Sequence, residues 1–481
     1  MNPLAFVLGT PVVAGVILGF IPGRYHRIAA RLNVLASLVT LASGLTLFEV
    51  RPEPNLYFFI DDFNVYLVVL TAFVGFTTSL FSASYIGHEV EIGRLDAPRL
   101  RFYHGMYQAF MFSMLLALTA NNLGIMWVAV EGATLATALM VSLYQTREAI
   151  EAAWKYFILC GVGIALALFG TILMYLAAQP VMGDGAQAMA WLQIMAQIGR
   201  FKDPAILNLA FVFLLAGYGT KVGLAPFHAW LPDAHAEGPT PISAVLSGLL
   251  LNVALYAVLR FKILLAHTAG AIAPGPLMIG MGLSSLLLAT FMLYRRRDIK
   301  RMFAYSSIEH MGIITFAFGM GGPLANFAGL LHMTMHSLTK SAIFFSVGHI
   351  AQVKGSQKIA DIRGLTISHP TLGWTFVIAV LAIAGLPPLG IFMSEFLVVT
   401  STMARQPVLA IPLVLGLLVG FGALILRLQG AAFGEVPTRG HAPIKASLLP
   451  VWAHLALVAT AGLYIPPQLV AWFRAVATLL G

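Results

Sequence analysis

Stretches of about twenty predominantly apolar residues recur along the whole chain, and each is long enough to cross the roughly 30 Å hydrocarbon core of a bilayer as an α-helix. The mean hydropathy is +0.87 and only 10% of the 481 residues are charged, so the composition is not that of a water-soluble domain. The sequence therefore predicts an all-α polytopic membrane protein with about fourteen transmembrane helices. The fourteen stretches lie near residues 4–22, 30–49, 63–86, 105–121, 123–144, 155–178, 206–230, 241–264, 275–295, 302–320, 324–350, 370–403, 408–429 and 447–473.

The basic residues are distributed by loop. Of the 28 Lys and Arg residues, 19 lie in loops that follow odd-numbered predicted helices, Lys221 and Lys340 lie inside helices, and seven lie on the opposite face. The seven, in loops or at helix ends, are Arg51, Arg200, Lys202, Arg260, Lys262, Arg405 and Arg474. The positive-inside rule then places both termini on the periplasmic side of a bacterial inner membrane. The net charge of +9 does not indicate a nucleic-acid partner, because the basic residues form no patch along the sequence.

Two predicted helices are interrupted by proline in similar motifs. The seventh contains VGLAPFHAWLP (222–232), and the twelfth contains AGLPPLGIF (384–392) five helices later. Proline can simply kink a membrane helix, but paired breaks in corresponding positions are typical of inverted-repeat transporters with a site near the bilayer midplane. We therefore expect two inverted five-helix repeats. The predicted domains are helices one to three (1–104), a first repeat of helices four to eight (105–264), a second repeat of helices nine to thirteen (265–432) and helix fourteen (433–481).

Ionisable side chains occur inside these helices, although each costs about 2.5–3.5 kcal/mol at the bilayer centre on the insertion scale. On helix eleven, His332, His336 and Lys340 form one polar stripe, because residues four apart differ by only about 40° around a helix. The others are Glu131 on helix five, Lys221 on helix seven, Glu309 and His310 on helix ten, and Glu395 on helix twelve.

These residue types favour proton transfer over sodium transport. Burial disfavours the charged form of a lysine and a nearby carboxylate favours it, so the charge of such a lysine can be switched. Histidine titrates near neutral pH, whereas a sodium ion needs a cage of oxygen ligands and is repelled by lysine. The alternative for Lys221 is a purely structural ion pair with Glu131. Glu309 and His310 could each be satisfied by a neighbouring helix without any further role.

Nothing in the sequence indicates a redox cofactor. Cys160 is the only cysteine and lies in an apolar helix, which excludes an iron–sulfur cluster ligated by cysteines of this chain. GVGIALALFG (161–170) contains a G-x-G but no strand precedes it, so it is not a dinucleotide-binding motif. We expect no cofactor and no bound metal in this chain.

The combined motifs resemble the antiporter-like subunits of respiratory complex I, whose fold also occurs in Mrp antiporters and membrane-bound group 4 hydrogenases. The resemblance covers about residues 60–430, and SSIEHMG (306–312) is most similar to component F of the hydrogenase-4 type. It rests on Glu131, TKVGLAPFHAWLPDAHAEGPTP (220–241), RRDIKRMFAYSSIEHMG (296–312), the His332–His336–Lys340 stripe and GLPPLGIFMSEF (385–396).

The resemblance implies fourteen helices, a proton half-channel in each repeat and a hydrophilic axis along the bilayer midplane. It implies that Glu131 and Lys221 form a pair in the first repeat. His332, His336 and Lys340 would line the central and exit portions of the path, and Glu395 would take the terminal position.

Two parts of the expected proton path are open to a second interpretation or depart from the family pattern. His228, Asp233 and His235 follow the first break, and they form either a cytoplasmic mouth for protons or only a capped polar turn. In helix eight, where many members of the family place lysine or histidine, this chain has Asn252. An amide can order water but cannot hold the proton, so this link would depend on hydration.

Three functions are compatible with these observations. The first is a proton-translocating subunit of a hydrogenase-like or complex-I-like redox complex, with other membrane subunits and a peripheral redox arm as partners and no redox centre of its own. The second is a cation/proton antiporter subunit of Mrp type, which the Lys/His path and the lack of a sodium cage disfavour. The third is an energising membrane subunit of an inorganic-carbon uptake system.

Overall fold

The computed structural model describes residues 2–201, 203–436 and 447–481, and within these ranges the chain is helical, with only isolated β-bridges. Lys202, counted above, lies outside the described residues. The first ten helices are α1 Pro3–Phe20, α2 His26–Thr46, α3 Asp62–Glu91, α4 Ala97–Thr119, α5 Leu123–Val141, α6 Arg147–Met182, α7 Trp191–Gln197, α8 Pro204–Val222, α9 Leu231–Glu237 and α10 Thr240–Val245. The others are α11 Leu251–Ala266, α12 Gly275–Leu293, α13 Ile299–Met320, α14 Gly322–Lys354, α15 Leu365–Ser368, α16 Pro370–Ile383, α17 Gly390–Arg405, α18 Pro407–Phe433, α19 Leu449–Leu463 and α20 Pro467–Leu479.

The helices fall on the predicted apolar stretches, but fewer of them satisfy the requirements of a membrane span. Within the described part of the chain, nine helices are long and apolar enough to cross a bilayer. Helices α4, α13 and α14 have 23, 22 and 33 residues but are outside that set, because their polar side chains lower their hydropathy. The last stretch, expected as one helix, is α19 and α20 joined at 82°, with prolines at the bend. The count of fourteen spans stays a prediction.

Connections at the helix ends form two separate groups. A β-bridge between Asp298 and Lys358 joins the α12–α13 and α14–α15 connections. In the other group, bridges between Phe58 and Ala120 and between Asn122 and Ala190 join the α2–α3, α4–α5 and α6–α7 connections. This grouping is consistent with spans that alternate in direction. Which group faces the cytoplasm stays a prediction.

Two of the seven basic residues that the sequence places on the periplasmic side are buried rather than exposed to solvent. Arg260 and Lys262 lie in the last two turns of α11 and are 1% and 5% exposed. The Arg260 guanidinium donates to Asp61 Oδ1 at 2.8 Å and lies 4.7 Å from the Trp191 ring centroid. Lys262 Nζ donates to the Leu480 carbonyl at 2.8 Å. Both charges therefore join the end of α11 to neighbouring segments.

The centre of the molecule is the span Thr240–Ala266, in which every residue from Thr240 to Leu265 is buried. Predicted as one regular helix, it consists of α10, a π-helical turn at Leu246–Leu250 and α11. Because neighbouring helices cover this span on all sides, its polar side chains can contact other helices instead of lipid.

The two proline-containing breaks have the same backbone hydrogen bonds. Gly223 after α8 and Gly385 after α16 adopt left-handed conformations, with φ of +80° and +72°. The next amides, of Leu224 and Leu386, donate to the carbonyl five residues earlier at 2.9 and 3.1 Å. This is the hydrogen bond of a Schellman-type helix ending, in which glycine is the usual residue at the left-handed position. The match supports a correspondence between the two breaks, while the inverted relation of the repeats stays a prediction.

Candidate functional site

The last turn of α8 places Lys221 in the interior, where its side chain is fully buried. Lys221 Nζ donates to Tyr156 Oη on α6 at 2.9 Å and lies 4.6 Å from the centroid of that ring. Tyr156 Oη is also 2.7 Å from Thr137 Oγ1 on α5. A buried ammonium, a phenol and a hydroxyl thus form one hydrogen-bonded group, here called the lysine–tyrosine group.

Glu131 lies near this group but is not in direct contact with Lys221. No ion pair within 4.0 Å joins the two side chains, although they are close enough to interact electrostatically. Glu131 is half-buried, and its Oε2 has no hydrogen-bond partner among the described residues. The hydrogen bond from Lys221 goes to Tyr156 instead. The predicted pair is therefore not closed in this structure, and its switching stays a prediction.

The three residues expected at a mouth occupy different environments. Asp233 forms ion pairs with Lys155 Nζ at 2.6 Å and Arg301 Nη1 at 2.8 Å. Arg301 also pairs with Glu237 at 3.1 Å. These four residues form a partly exposed charged cluster at the end of α9, here called the charged mouth.

The two histidines form none of the ion pairs of the charged mouth. His235 is fully buried and stacks on Phe344 at 4.9 Å, and neither of its ring nitrogens has a partner within the described residues. His228 lies in the break itself, is half-buried and faces the Tyr305 ring at 6.3 Å. Two environments are thus present: a hydrogen-bonded ionic surface at Asp233 and an unpaired imidazole further inside.

The π-helical turn brings hydroxyl groups together around Asn252. Asn252 Nδ2 donates to Ser337 Oγ on α14 at 2.6 Å, and Ser337 Oγ donates to the Gly248 carbonyl at 2.7 Å. Ser247 Oγ is 2.7 Å from Ser307 Oγ on α13. Asn252 Oδ1 is buried and has no partner among the described residues, so it is a free acceptor in the centre of the molecule.

Lys340 and His336 lie on the same side of α14 in the second half. Lys340 Nζ donates to the Phe303 carbonyl at 2.9 Å and has no carboxylate within 4.0 Å among the described residues. His336 is fully buried, and neither ring nitrogen has a partner in the described part of the chain. Its ring centroid is 5.7 Å from that of His310.

His310 and His332 continue this polar line toward the second break. His310 Nδ1 and His332 Nε2 are 3.0 Å apart, so one of the two nitrogens must carry the proton that they share. His332 Nδ1 is 2.9 Å from Ser394 Oγ on α17. One ligand atom each from His310, His332 and Glu395 lies within 4.8 Å of the others, a spacing at which these atoms could also bind one metal ion. His310, His332, His336, Ser394 and Glu395 are here called the histidine cluster.

Two glycines make room for the carboxylates of the second half. A Cβ at Gly385 would overlap Glu395 Oε2, so the Glu395 carboxylate lies against the backbone of the second break. A Cβ at Gly420 on α18 would overlap Glu309 Oε1 in the same way. Glu309 is buried, and its Oε2 has no hydrogen-bond partner among the described residues.

Sequence reasoning missed the hydroxyl groups that join the ionisable ones, chiefly Tyr156, Thr137, Ser337 and Ser394. Serine and threonine in membrane helices commonly donate to a backbone carbonyl of the preceding turn. Thr137 does this as well, donating to the Ala133 carbonyl at 2.6 Å. Their sequence context therefore does not distinguish a bridging hydroxyl from an ordinary one.

Residues 120–420, which include every ionisable residue of the candidate site, match the family described as NADH:quinone oxidoreductase/Mrp antiporter, TM. The chain belongs to this antiporter-like family. Within it, the chain is 60% identical over 455 residues to a hydrogenase-4 component F homolog of Methylacidiphilum infernorum (isolate V4), covering 95% of each chain. It is 31% identical to NADH-quinone oxidoreductase subunit N of Desulforudis audaxviator (strain MP104C), covering 77% of this chain and 73% of that one.

The antiporter-like fold also matches solved structures over nearly the whole chain. A chain in the structure of the membrane-bound sulfane sulfur reductase, an archaeal respiratory membrane complex, has a TM-score of 0.87. The match covers 99% of this chain and 97% of that chain at 19% identity, so the likeness concerns the fold alone. The resemblance to antiporter-like subunits is thereby confirmed at the level of family and fold.

Proposed function

We propose that this antiporter-like subunit translocates protons within a multi-subunit redox complex of hydrogenase-4 or NADH:quinone oxidoreductase type. Electron transfer would take place in other subunits, and this chain would move protons in response. The 60% identity to a hydrogenase-4 component F homolog supports the hydrogenase-4 type of complex. The partners would be other membrane subunits and a peripheral redox arm.

The observation that carries the proposal is a series of buried titratable and hydroxyl groups that extends through both halves. It begins at the lysine–tyrosine group, continues at the π-helical turn with Asn252 and ends at the histidine cluster, which includes Glu395. Lys340, one turn from His336 on α14, is also buried and belongs to the series. An isolated buried charge is costly, so many of them in one interior are more readily explained by proton handling than by packing.

In this mechanism the protonation of Lys221 is governed by Glu131 and Tyr156. When the Glu131 carboxylate is charged it favours the ammonium form, and when it is neutral or distant the buried lysine releases its proton. Tyr156 can relay that proton because its hydroxyl both accepts from Lys221 and contacts Thr137. His235 would deliver protons from the charged mouth, with Asp233 and His228 at its outer side.

Transfer between the halves would depend on Asn252 and water. The amide cannot hold a proton, but its unpaired Oδ1 can accept a hydrogen bond from a water molecule that does. The second half then offers Lys340, His336 and the shared His310–His332 proton, with Glu395 as the terminal group and Glu309 as a nearby charge that responds to Lys340.

Lys221→Arg tests this mechanism. Arginine keeps the positive charge but does not release its proton at physiological pH, so we expect normal assembly and loss of most turnover-coupled proton transport. The measurement is acidification of membrane vesicles that contain the intact complex, with a blot for assembly. Lys262→Arg is the matched control, because that lysine is also buried but bonds only to a backbone carbonyl outside the series. Pumping by Lys221→Arg at the level of Lys262→Arg would leave Lys221 with a structural role.

The same vesicles separate the alternative functions. Sodium-dependent proton exchange without electron-transfer substrate would indicate an antiporter of Mrp type. Dependence of inorganic-carbon uptake on this chain, with no loss of redox-coupled pumping in its absence, would indicate the energising role.

A further inference from the structure

Three basic segments that are distant in sequence meet at one cavity of about 1000 Å³. They are the α12–α13 connection, the α14–α15 connection and the last turns of α18. The cavity is lined by six cationic side chains, against the carboxylates of Glu237 and Asp298 only. The six are Arg296, Arg297, Arg301, Lys358, Arg363 and Arg427. In the folded chain the basic residues therefore do form a patch, which the sequence alone did not indicate.

Three of these six cations have no polar partner within the described residues. Arg427 donates to the Tyr294 carbonyl at 2.6 Å, Arg296 lies over the Tyr305 ring at 4.6 Å, and Arg301 is held in the charged mouth. The side chains of the other three, Arg297, Lys358 and Arg363, are exposed and have no hydrogen-bond or ion-pair partner within the described residues. Six cations against two carboxylates leave the cavity with an excess of positive charge, and like charges repel one another. An anion in the cavity would relieve this repulsion.

An apolar stripe leads away from the cavity along α18. Leu426 lines the cavity and is 60% exposed, and Leu418, Leu415 and Ile411 continue on the same side, each more than half exposed. The spacing of three, four and eight residues keeps them on one face of the helix. From residue 411 to residue 426 the helix rises about 22 Å, which is longer than one leaflet of the hydrocarbon core, about 15 Å.

The geometry points to a binding site for one anionic phospholipid, with its phosphate headgroup in the basic cavity and an acyl chain along the stripe on α18. Arginine and lysine bind phosphate oxygens through charge-assisted hydrogen bonds, and basic pockets beside membrane helices are known to select anionic headgroups. A free phosphate would explain the cavity but not the adjoining stripe. An acidic protein segment would need no apolar contact of this length.

The site is connected to the charged mouth through Arg301. This side chain lines the cavity and also pairs with Asp233 and Glu237. A bound phosphate would compete with both carboxylates for the guanidinium. The lipid would thereby weaken the ionic contacts at the end of α9. This consequence is independent of whether the chain translocates protons.

Native mass spectrometry of the purified full-length chain tests the site. With equimolar phosphatidylglycerol and phosphatidylcholine, we expect the chain to retain phosphatidylglycerol selectively. In R297Q/K358Q/R363Q this retention should fall about tenfold or more. R24Q/R27Q/R31Q removes the same charge from exposed arginines outside the cavity and should retain the lipid as the wild type does. Equal retention by the two triple variants, or no preference between the lipids in the wild type, would overturn the proposal.

Two further experiments distinguish the lipid from a free phosphate anion and from an acidic protein segment. Inorganic phosphate in the millimolar range should not displace the lipid, and displacement would show a site for free phosphate anions instead. A reagent that joins carboxylates to lysine amines should form no crosslink between Lys358 and another subunit in the intact complex. A crosslink from Lys358 to a partner subunit, together with absence of the lipid, would show an acidic protein segment there and overturn the proposal. The single variant K358Q, which changes one exposed unpaired side chain, repeats the test if the triple variant does not fold.

Discussion

At the scale of single residues, the interior is organised around hydroxyl groups as much as around charges. Tyr156 contacts two partners, Lys221 and Thr137, and so joins three helices through one oxygen atom. Ser394 and Ser337 have similar positions beside His332 and Asn252. A neutral hydroxyl can both donate and accept, and it can therefore stay in place while the protonation of its partners changes.

Tyr156→Phe removes this oxygen and keeps the ring. We expect retained assembly, a fall in turnover-coupled proton transport and a loss of about 1–3 kcal/mol of stability, since Lys221 and Thr137 each lose a buried partner. Acidification by vesicles and the melting midpoint of the detergent-solubilised chain measure the two effects. Tyr175→Phe is the control on the same helix, because the Tyr175 hydroxyl contacts the exposed Asp184.

If Tyr156 acts through Lys221, the double variant with Lys221→Arg should transport no less than Lys221→Arg alone. Two groups that work as one unit are not additive. If the fractional losses of proton transport in the two single variants multiply in the double variant, Tyr156 does not act through Lys221.

At the scale of elements, irregular backbone occurs where polar groups meet: at the two breaks and at the π-helical turn. Backbone that leaves regular helix geometry inside a bilayer is tolerated only where protein or water satisfies it, and π-helical turns are frequent at functional sites. In the turn at Leu246–Leu250 the Gly248 carbonyl accepts a hydrogen bond from Ser337 Oγ on α14 at 2.7 Å. The second break places Gly385 against the Glu395 carboxylate.

Gly385→Ala tests the second break. Alanine is disfavoured at φ +72° and its Cβ would displace the Glu395 carboxylate, so we expect a loss of about 1–3 kcal/mol and reduced proton transport. Gly280→Ala on α12 is the control, because its Cβ meets no atom within 4 Å. The melting midpoint of the full-length chain is the readout. A midpoint for Gly385→Ala equal to that of Gly280→Ala would mean that the break does not require glycine.

At the scale of the whole molecule, the sequence predicts the individual helices and breaks well, but it predicts poorly which distant segments come into contact. The two breaks, the stripe on α14 and the burial of Glu309 follow from local patterns, because a charge or a proline in an apolar helix is conspicuous. The basic cavity depends on how distant segments approach one another. The bend between α19 and α20 coincides with Pro466 and Pro467, a local signal that the prediction of one helix did not use. The contact of Lys221 with Tyr156 rather than with Glu131 depends on side-chain packing that no periodicity encodes.

Topology is also a property of the whole chain, and Cys160 makes it measurable. The only cysteine is buried, so in a Cys160→Ser background a single new cysteine can be labelled selectively. Glu53 and Glu148 are exposed; Glu53 lies in the α2–α3 connection, and Glu148 lies in the first turn of α6, at the end of that helix opposite to the α6–α7 connection. In intact spheroplasts an impermeant maleimide should label Glu53→Cys and should reach Glu148→Cys only after permeabilisation. The reverse pattern would invert the predicted orientation and place both termini in the cytoplasm.

The complete enclosure of the central span has a consequence for compounds that reach the protein from the lipid phase. Phe227 in the first break and Phe396 beside the second are 39% and 56% exposed, whereas the span that carries Asn252 has no face open to the bilayer. We expect a membrane-dissolved photoreactive probe to modify this chain at the two breaks and not at its centre. Hydrophobic inhibitors would then act on the ends of the polar series, and only small water-borne solutes could reach the middle.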